Sequence, residues 1–302
     1  MSSVIILGAK GRFGRAATDA FLQAGWDVST FGRNWDAGPR AGVHRVSGDV
    51  KDTETLIAAV AGRDVIVNAI NPPYHHWRRE LPKITKSVIR AAQHTGAAVL
   101  IPGNVYNYGA DAPVDYREDT PWRPSTRKGK LRVEMENAYR DAAVRTIVVR
   151  AGDYIERAKS DSWFDRIIAA QARQGRTVYP GPLDQVHAWG YLPDVARAAV
   201  HLAARRAEMP IFDEFGVEGF SLTGQQLVDE IARATGKAQR VGRVPWGAIK
   251  CLGLFQPFMR EVLEMRYLWN VPHRMDQRKL EQFLPGFQAT PVAAVMQHVL
   301  AP

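Results

Sequence analysis

The sequence predicts an α/β fold: a doubly wound parallel sheet with helices on both faces, followed by a smaller C-terminal substrate lobe. Three observations carry that prediction. The chain opens on an apolar, β-branched run, Val4-Ile5-Ile6-Leu7, that breaks directly into glycines at 8, 11 and 14. A short run without polar alternation reads as a strand buried on both faces, as parallel sheets require. Through residue 150, such runs alternate with stretches of helical periodicity, the order of a doubly wound sheet. Past about residue 155 the alternation lapses, which marks a different kind of structure.

Each element has its own warrant. From Phe13, apolar residues recur at Ala17, Ala20, Phe21 and Ala24, one face of a helix. Asp27–Arg33 reads as the second strand, Gly42–Asp49 as a short third, and 52–61 as a helix. Asp64–Ile70 is a fourth, very apolar strand. Leu81, Ile84, Val88 and Ala92 mark the next helix, with Pro82 expected in its first turn, where a missing N–H is tolerated. Ala97–Ile101 is a fifth strand; Leu131, Met135, Ala138 and Ala142 form a helix face, and Thr146–Arg150 is a sixth strand. Beyond these, Trp163–Gln174, Pro193–Arg205 and Gln225–Thr235 read as helices, the last introduced by Ser221-Leu222-Thr223-Gly224.

The expected division is a dinucleotide-binding domain over 1–155, to which 186–208 returns, and a substrate-binding lobe from 156–185 and 209–302. Residues 244–272 are rich in Trp, Phe, Leu and Met. A membrane-surface segment would have this composition; the apolar wall of a substrate lobe is the favoured reading.

At 302 residues there is ample core for one large domain or two modest ones. No apolar stretch approaches the roughly 18 residues of a membrane span, and a chain that begins on a strand leaves no room for a signal peptide. Cys251 is the single cysteine, which excludes an intramolecular disulfide and suits a reducing, cytoplasmic setting. The formal charge of +9 is scattered in pairs such as Arg78-Arg79 and Arg205-Arg206, with one denser group at Arg123, Arg127, Lys128, Lys130 and Arg132. With no basic tail, the charge favours an anionic small ligand over nucleic acid; neither nucleic acid nor membrane is an expected partner. Monomer and dimer stay open.

A buried strand, a glycine turn and a helix start in succession form an anion site, where outward N–H groups and the helix dipole favour a pyrophosphate. The spacing is Gly8-x-x-Gly11-x-x-Gly14, with Lys10, Arg12 and Phe13 inside it. Further along stand Gly48-Asp49-Val50, Asn68-Ala69-Ile70, Arg150-Ala151-Gly152-Asp153, Tyr191–Ala196, and a close of Asp276–Leu280 followed by Leu284-Pro285-Gly286-Phe287. In this order the chain resembles the extended and atypical short-chain dehydrogenase/reductase superfamily, of the NAD(P)-dependent epimerase/dehydratase type, over nearly its whole length. The resemblance implies an NAD(P)-binding Rossmann fold. It places Asp49 and Val50 against adenine and Asn68, Ala69, Ile70 and Pro102 beside the cofactor.

NAD-binding members end the second strand in a carboxylate that would repel a 2′-phosphate. Here the strand ends in Phe31-Gly32-Arg33-Asn34. Arg33 can hold a phosphate bidentately, Arg12 can approach from the loop, and NADP is the expected cofactor; Asp36 is the nearest residue that would suit NAD.

The catalytic set departs from the superfamily. There a tyrosine moves the proton, a lysine four residues later lowers its pKa, and a serine or threonine orients the substrate oxygen. If Lys130 is that lysine, the tyrosine position holds Thr126, whose hydroxyl pKa is too high for unaided acid–base work. The serine is missing from Ile101-Pro102-Gly103-Asn104-Val105-Tyr106-Asn107-Tyr108-Gly109. Asn104 can supply the orienting hydrogen bond, and Tyr106, Tyr108 and Tyr74 are the replacement acids to consider. Tyr74, Asn104, Tyr106 and His187 are the expected substrate contacts, His187 from a loop. His75-His76 lacks metal-ligand spacing, so no metal is expected. Two functions remain open: an NADP-dependent oxidoreductase or epimerase/dehydratase-type enzyme acting on a small carbonyl, hydroxyl or sugar-like compound, and a non-catalytic NADP(H) sensor resembling the NmrA-like regulators.

Overall fold

The computed structural model describes residues 1–35, 38 and 40–301, with backbone alone at 257 and 258. The strands in chain order are β1 (Ser3–Leu7), β2 (Asp27–Gly32), β3 (Val43–Ser47), β4 (Val65–Asn68), β5 (Ala98–Gly103), β6 (Asp115–Tyr116), β7 (Thr146–Arg150), β8 (Asp153–Ile155), β9 (Arg176–Tyr179), β10 (Val186–Tyr191), β11 (Phe212–Gly216), β12 (Phe220–Thr223), β13 (Arg240–Arg243) and β14 (Arg274–Met275). The helices are α1 (Arg12–Gln23), α2 (Thr53–Val60), α3 (Trp77–Thr95), α4 (Arg127–Asp141), α5 (Leu192–Ala204), α6 (Gly224–Thr235), α7 (Trp246–Leu252), α8 (Pro257–Glu264), α9 (Arg278–Phe283) and α10 (Val292–Leu300).

Two compact units divide the chain. The first comprises Met1–Gly103, Lys130–Arg150 and Val195–Phe215; the second comprises Asn104–Gly129, Ala151–Asp194 and Gly216–Pro302. Residues 104–129, which the sequence assigns to the dinucleotide-binding part, cluster with the second unit.

The first unit is built on a seven-stranded sheet in the order β11-β7-β5-β4-β1-β2-β3. From β3 to β7 every neighbouring pair is parallel, with Ile6 level with Thr30 on one side and Val67 on the other. Val4, Ile5, Ile6, Leu7, Val65, Ile66 and Val67 are wholly buried, as expected of central parallel strands. The chain leaves β1 toward β2 on one side and returns at β4 on the other. That reversal opens a crevice at the carboxyl ends of the strands, the usual ligand position in such sheets.

One feature of this unit differs from the sequence reading. Helix α3 begins at Trp77, so Pro82 stands within the helix rather than in its first turn; the Arg78 carbonyl thereby loses its helical donor. Arg150, at the end of the sixth predicted strand, is fully buried. Its guanidinium meets Glu136 at 2.6 Å and Glu214 at 2.9 and 3.0 Å, joining β7 to α4 and β11.

The second unit holds a three-stranded sheet, β12-β10-β8, and two two-stranded pairs, β13-β9 and β14-β6. Its core gathers Phe164, Ile168, Tyr179, Trp189, Phe220, Leu227, Ile231, Trp269 and Met296. Thr223 caps α6 in a reciprocal capping box with Gln226. Asp194 accepts from the Thr290 amide (2.6 Å) and hydroxyl (2.9 Å), which ties the start of α5 to the segment before α10. Trp163–Gln174 is not one α-helix. Ala169 N donates to Phe164 O, a wide turn, and a separate tight turn follows at Ala172–Gln174. The Asp165 carboxylate is taken up by the hydroxyls of Ser160 and Ser162, and Gln171 bridges to Arg176.

Candidate functional site

In the first unit, Leu7 ends β1 and Gly8 turns the chain at φ +78°, a left-handed conformation suited to glycine. A Cβ on Gly8 would stand 2.9 Å from the Ala69 carbonyl oxygen, so the turn passes hard against the end of β4. Gly11 N donates to Gly8 O at 2.9 Å and caps α1 in extended conformation. Gly14 faces back on the same turn; a Cβ there would lie 2.2 Å from Gly8 O. The first turn of α1 carries no acidic residue, which leaves its positive dipole end unopposed by a local carboxylate. These are the features a bound pyrophosphate needs, and a dinucleotide fits the residues present.

A cleft of about 540 Å³ opens beside this turn, lined by Gly8, Ala9 and Lys10 from the loop, Gly32, Arg33 and Trp35 from the end of β2, and Asp49, Val50 and Lys51 after β3. Ile70 to Pro73, with His76, Arg79 and Glu80 at the start of α3, close the other side. Glu80 pairs with Arg79 at 2.7 Å and Lys51 at 3.3 Å. The hydrogen bond from Arg79 holds its carboxyl below the usual range, so this acid adds no repulsive charge unaccompanied by cations. Arg33 is exposed on the cleft wall and pairs with no carboxylate among the described residues. Asp36 lies outside the described residues. Trp35, which carried no motif signal, donates from Nε1 to Ser47 Oγ at 3.2 Å and holds the Arg45 guanidinium 5.2 Å from its ring.

The other residues expected at the cofactor have the following surroundings. Arg12 opens α1 but is absent from the cleft wall, and Phe13 is buried in the core. Asn68 is buried, donating from Nδ2 to Tyr139 Oη at 3.0 Å and accepting from Ile70 N at 3.4 Å. Tyr139 is fully buried, and that burial pushes its phenol pKa up. Ala69 contributes the carbonyl against which Gly8 turns. The Pro102 carbonyl accepts from Arg132 at 2.5 Å. Lys130 is exposed on the first turns of α4.

The second unit contains the remaining candidates. Asn104 Oδ1 accepts from Tyr106 N at 3.0 Å, capping a single tight turn. Tyr106 is buried. Tyr108 is 1% exposed, its hydroxyl 3.4 Å from the Arg117 carbonyl and its ring 4.3 Å from that of Tyr116; this is a packed phenol rather than a ligand-facing one. Thr126 Oγ1 accepts from Gly129 N at 3.0 Å, so the hydroxyl at the expected tyrosine position caps α4. Beside it, Lys128 drew no functional expectation, yet it is buried with Nζ 2.5 Å from Glu261 and 2.9 Å from Glu264.

His187 is expected in a loop, but it lies on β10 and is 2% exposed. Its Nε2 is 3.0 Å from Asp153 Oδ2, and its ring stacks on Trp269 at 4.3 Å and meets His273 at 4.5 Å. From His187 to Tyr191 the strand is buried throughout, and an aromatic layer packs around the imidazole. A second cleft, of about 600 Å³, is lined by Tyr179 to Asp184, Val241 to Val244, Trp246, Arg266 and Asn270. Arg266 sits 5.4 Å from the Trp246 ring centroid, and Trp246 donates to the Pro180 carbonyl at 2.8 Å. In the first unit Tyr74 packs edge-on to Trp77 at 5.0 Å. Among the described residues no group of His, Cys, Asp and Glu could hold a metal ion, and no helix is long and apolar enough to cross a membrane.

A seven-stranded doubly wound sheet with a glycine turn, an open helix N-terminus and a crevice at the strand ends defines a dinucleotide-binding α/β protein. The chain matches the NAD dependent epimerase/dehydratase family over residues 4–217 and belongs to it. No curated protein sequence matches the chain. Among solved structures it is similar to the UDP-N-acetylglucosamine 4-epimerase of Bacillus cereus, with a TM-score of 0.77, 13% identity and coverage of 99% of each chain. It is also similar to MoeE5 in complex with UDP-glucose and NAD, with a TM-score of 0.76, 17% identity and coverage of 99% of this chain and 97% of that one. A nucleoside-diphosphate-sugar epimerase of Pseudomonas aeruginosa gives a TM-score of 0.76 at 16% identity, over 99% and 96% of the two chains.

Proposed function

We propose that the chain is an NADP-preferring oxidoreductase of this family, acting on a hydroxyl or carbonyl group of a small, sugar-like compound with the usual tyrosine and serine replaced. The single observation that carries the reading is Arg33 on the wall of the same cleft as Gly8 and Lys10. A guanidinium there matches a 2′-phosphate, where a carboxylate would serve an unphosphorylated ribose. When bound, the nicotinamide supplies the site that gives or takes the hydride. The Gly8–Lys10 turn and the α1 N-terminus hold the pyrophosphate, Asp49 and Val50 flank adenine, and Lys130 holds the ribose. Tyr74 in the first unit and Tyr106 in the second are the candidates to move the proton, and Asn104 in the second is the candidate to orient the substrate oxygen. Thr126 and Tyr108 are left out of this role because their hydroxyls cap a helix and pack in the core.

The substrate cleft is assigned to the second unit. Trp246, Arg243 and Arg266 offer an aromatic face and two guanidinium groups, suited to a base and a phosphate. The Bacillus cereus and MoeE5 structures are associated with UDP-linked sugars, so nucleotide-linked sugars come first in a substrate panel. MoeE5 is described with NAD; the preference for NADP rests on Arg33. The capped Thr126 hydroxyl favours one competing reading, a dinucleotide sensor without turnover.

Calorimetric titration with NADPH and NADH separates these readings. NADPH should bind at least about tenfold more tightly, and Arg33→Glu should remove the difference; equal binding of the two by the unaltered protein would sink the NADP assignment. Substrate-dependent NADPH oxidation that falls in Tyr106→Phe or Tyr74→Phe supports the enzyme. Tight binding without turnover across the panel supports the sensor.

A further inference from the structure

The apolar segment 244–272 divides in two. Val244, Met265, Leu268 and Trp269 are buried, as a lobe wall requires, whereas Leu252, Leu254 and Phe255 are 45%, 75% and 84% exposed. Helix α7 buries no residue at all. The other large exposed hydrophobics among the described residues, Met1, Val114 and Ile211, are scattered along the chain. Three within four consecutive positions at one turn form a local apolar tip.

The segment that bears the tip is mostly basic in sequence. Residues 237–266 carry six basic side chains, Lys237, Arg240, Arg243, Lys250, Arg260 and Arg266, against two acids, Glu261 and Glu264. Both acids turn onto Arg127 and Lys128. Lys250 and Arg260, both exposed, stand within five residues of the tip on either side. A second copy is a poor occupant, because a two-fold contact through this patch would set each basic group against its own like. An anionic sheet with an apolar interior satisfies both features at once.

We propose that the α7–α8 turn docks the protein on an anionic lipid bilayer. Leu252, Leu254 and Phe255 enter the boundary between headgroups and acyl chains, and Lys250 and Arg260 rest on the headgroups. The contact is peripheral and reversible, as expected of one small wedge with a few charges. It departs from the sequence expectation that no membrane partner exists.

Flotation of the full chain tests this, using vesicles of phosphatidylcholine alone or mixed with phosphatidylserine. The protein should float with the mixed vesicles at low salt and be released by high salt, as screening demands. Leu254→Ser/Phe255→Ser should weaken partitioning roughly tenfold or more, and Lys250→Glu should weaken it with the tip intact. A thermal unfolding midpoint equal to that of the unaltered chain verifies that the variants are folded. Flotation no greater with anionic than with neutral vesicles, or equal flotation of the double variant, overturns the proposal. A concentration-dependent dimer that the double variant abolishes also overturns it, because the tip then belongs to a second copy.

Discussion

Gly14→Ala sets two opposing effects against each other. Gly14 is the third residue of α1, and alanine in a helix is ordinarily favoured over glycine by about 1 kcal/mol. The added Cβ, however, would meet Gly8 O at 2.2 Å and Ala9 Cα at 2.8 Å. Both atoms are backbone, so no side chain can rotate away. Relief requires α1 to retreat from the turn, and overpacking of this kind costs about 1–3 kcal/mol. The net expectation is a loss of about 0–2 kcal/mol in stability. The strain falls on the turn that carries the pyrophosphate contacts, so NADPH affinity should drop roughly tenfold or more. Urea unfolding and calorimetric titration read the two effects separately. Gly247→Ala is the control: it lies in α7, its Cβ would meet nothing within 4 Å, and it should leave both quantities unchanged or raise stability. If Gly14→Ala unfolds at or above the parent midpoint with unchanged NADPH affinity, close packing of α1 on the turn is not what Gly14 provides.

Arg150→Met removes the buried cation that Glu136 and Glu214 share, leaving Glu136 the more distant Arg132 at 3.5 Å, and should cost about 3–5 kcal/mol in urea unfolding; replacing all three with apolar residues should recover most of it. His273 gives a pH signature. Burial lowers its pKa to about 3, with His187 adding to the shift, while Nδ1 donates to the Val271 carbonyl at 2.8 Å. The folded state therefore holds it neutral while the unfolded chain protonates it near pH 6.5. Its contribution is fully present above about pH 6.5 and is lost toward pH 3, by up to about 1.4 kcal/mol per pH unit. His273→Asn should flatten that slope in unfolding measured from pH 7 to 4; an unchanged slope would show that protonation of His273 does not drive the loss.

Much of the first unit was legible because its signals are local. The central parallel strands are continuous apolar runs, and Gly14 is demanded by contacts with Gly8 and Ala9 in the same turn, whereas the close approach of Gly8 to Ala69 comes from strand pairing. Arg33 follows β2 directly, and the register of β1 with β2 brings it to the crevice. Boundaries were weaker: Pro82 entered a helix that begins earlier than its apolar face suggests, because Trp77 packs in the core. Trp163–Gln174 carries helical spacing but yields to hydroxyls that compete for the backbone and for Asp165.

The lobe was legible in composition and not in arrangement. Lys128 looked like one member of a scattered basic cluster until Glu261 and Glu264, more than 130 residues away, enclosed it. Trp35, Trp246 and Arg266 belong to no motif; their positions around clefts depend on strand pairing and on which face of an element each occupies. His187 shows the same limit, since Trp269 and His273 cover it from a distant part of the chain.

The amino-acid order alone thus indicated β1 to β5 and β7, their parallel direction and the glycine turn, because buried parallel strands and tight turns are specified by neighbouring residues; the seventh strand, β11, fell in the range read as substrate lobe. Tertiary structure decided the fate of the polar groups. Whether Thr126 caps or reacts, whether Arg150 meets a ligand or two glutamates, and whether an apolar run lines a wall or meets solvent depend on partners brought together only by folding. Burial and counter-charge, the quantities that set such roles, are properties of that assembly.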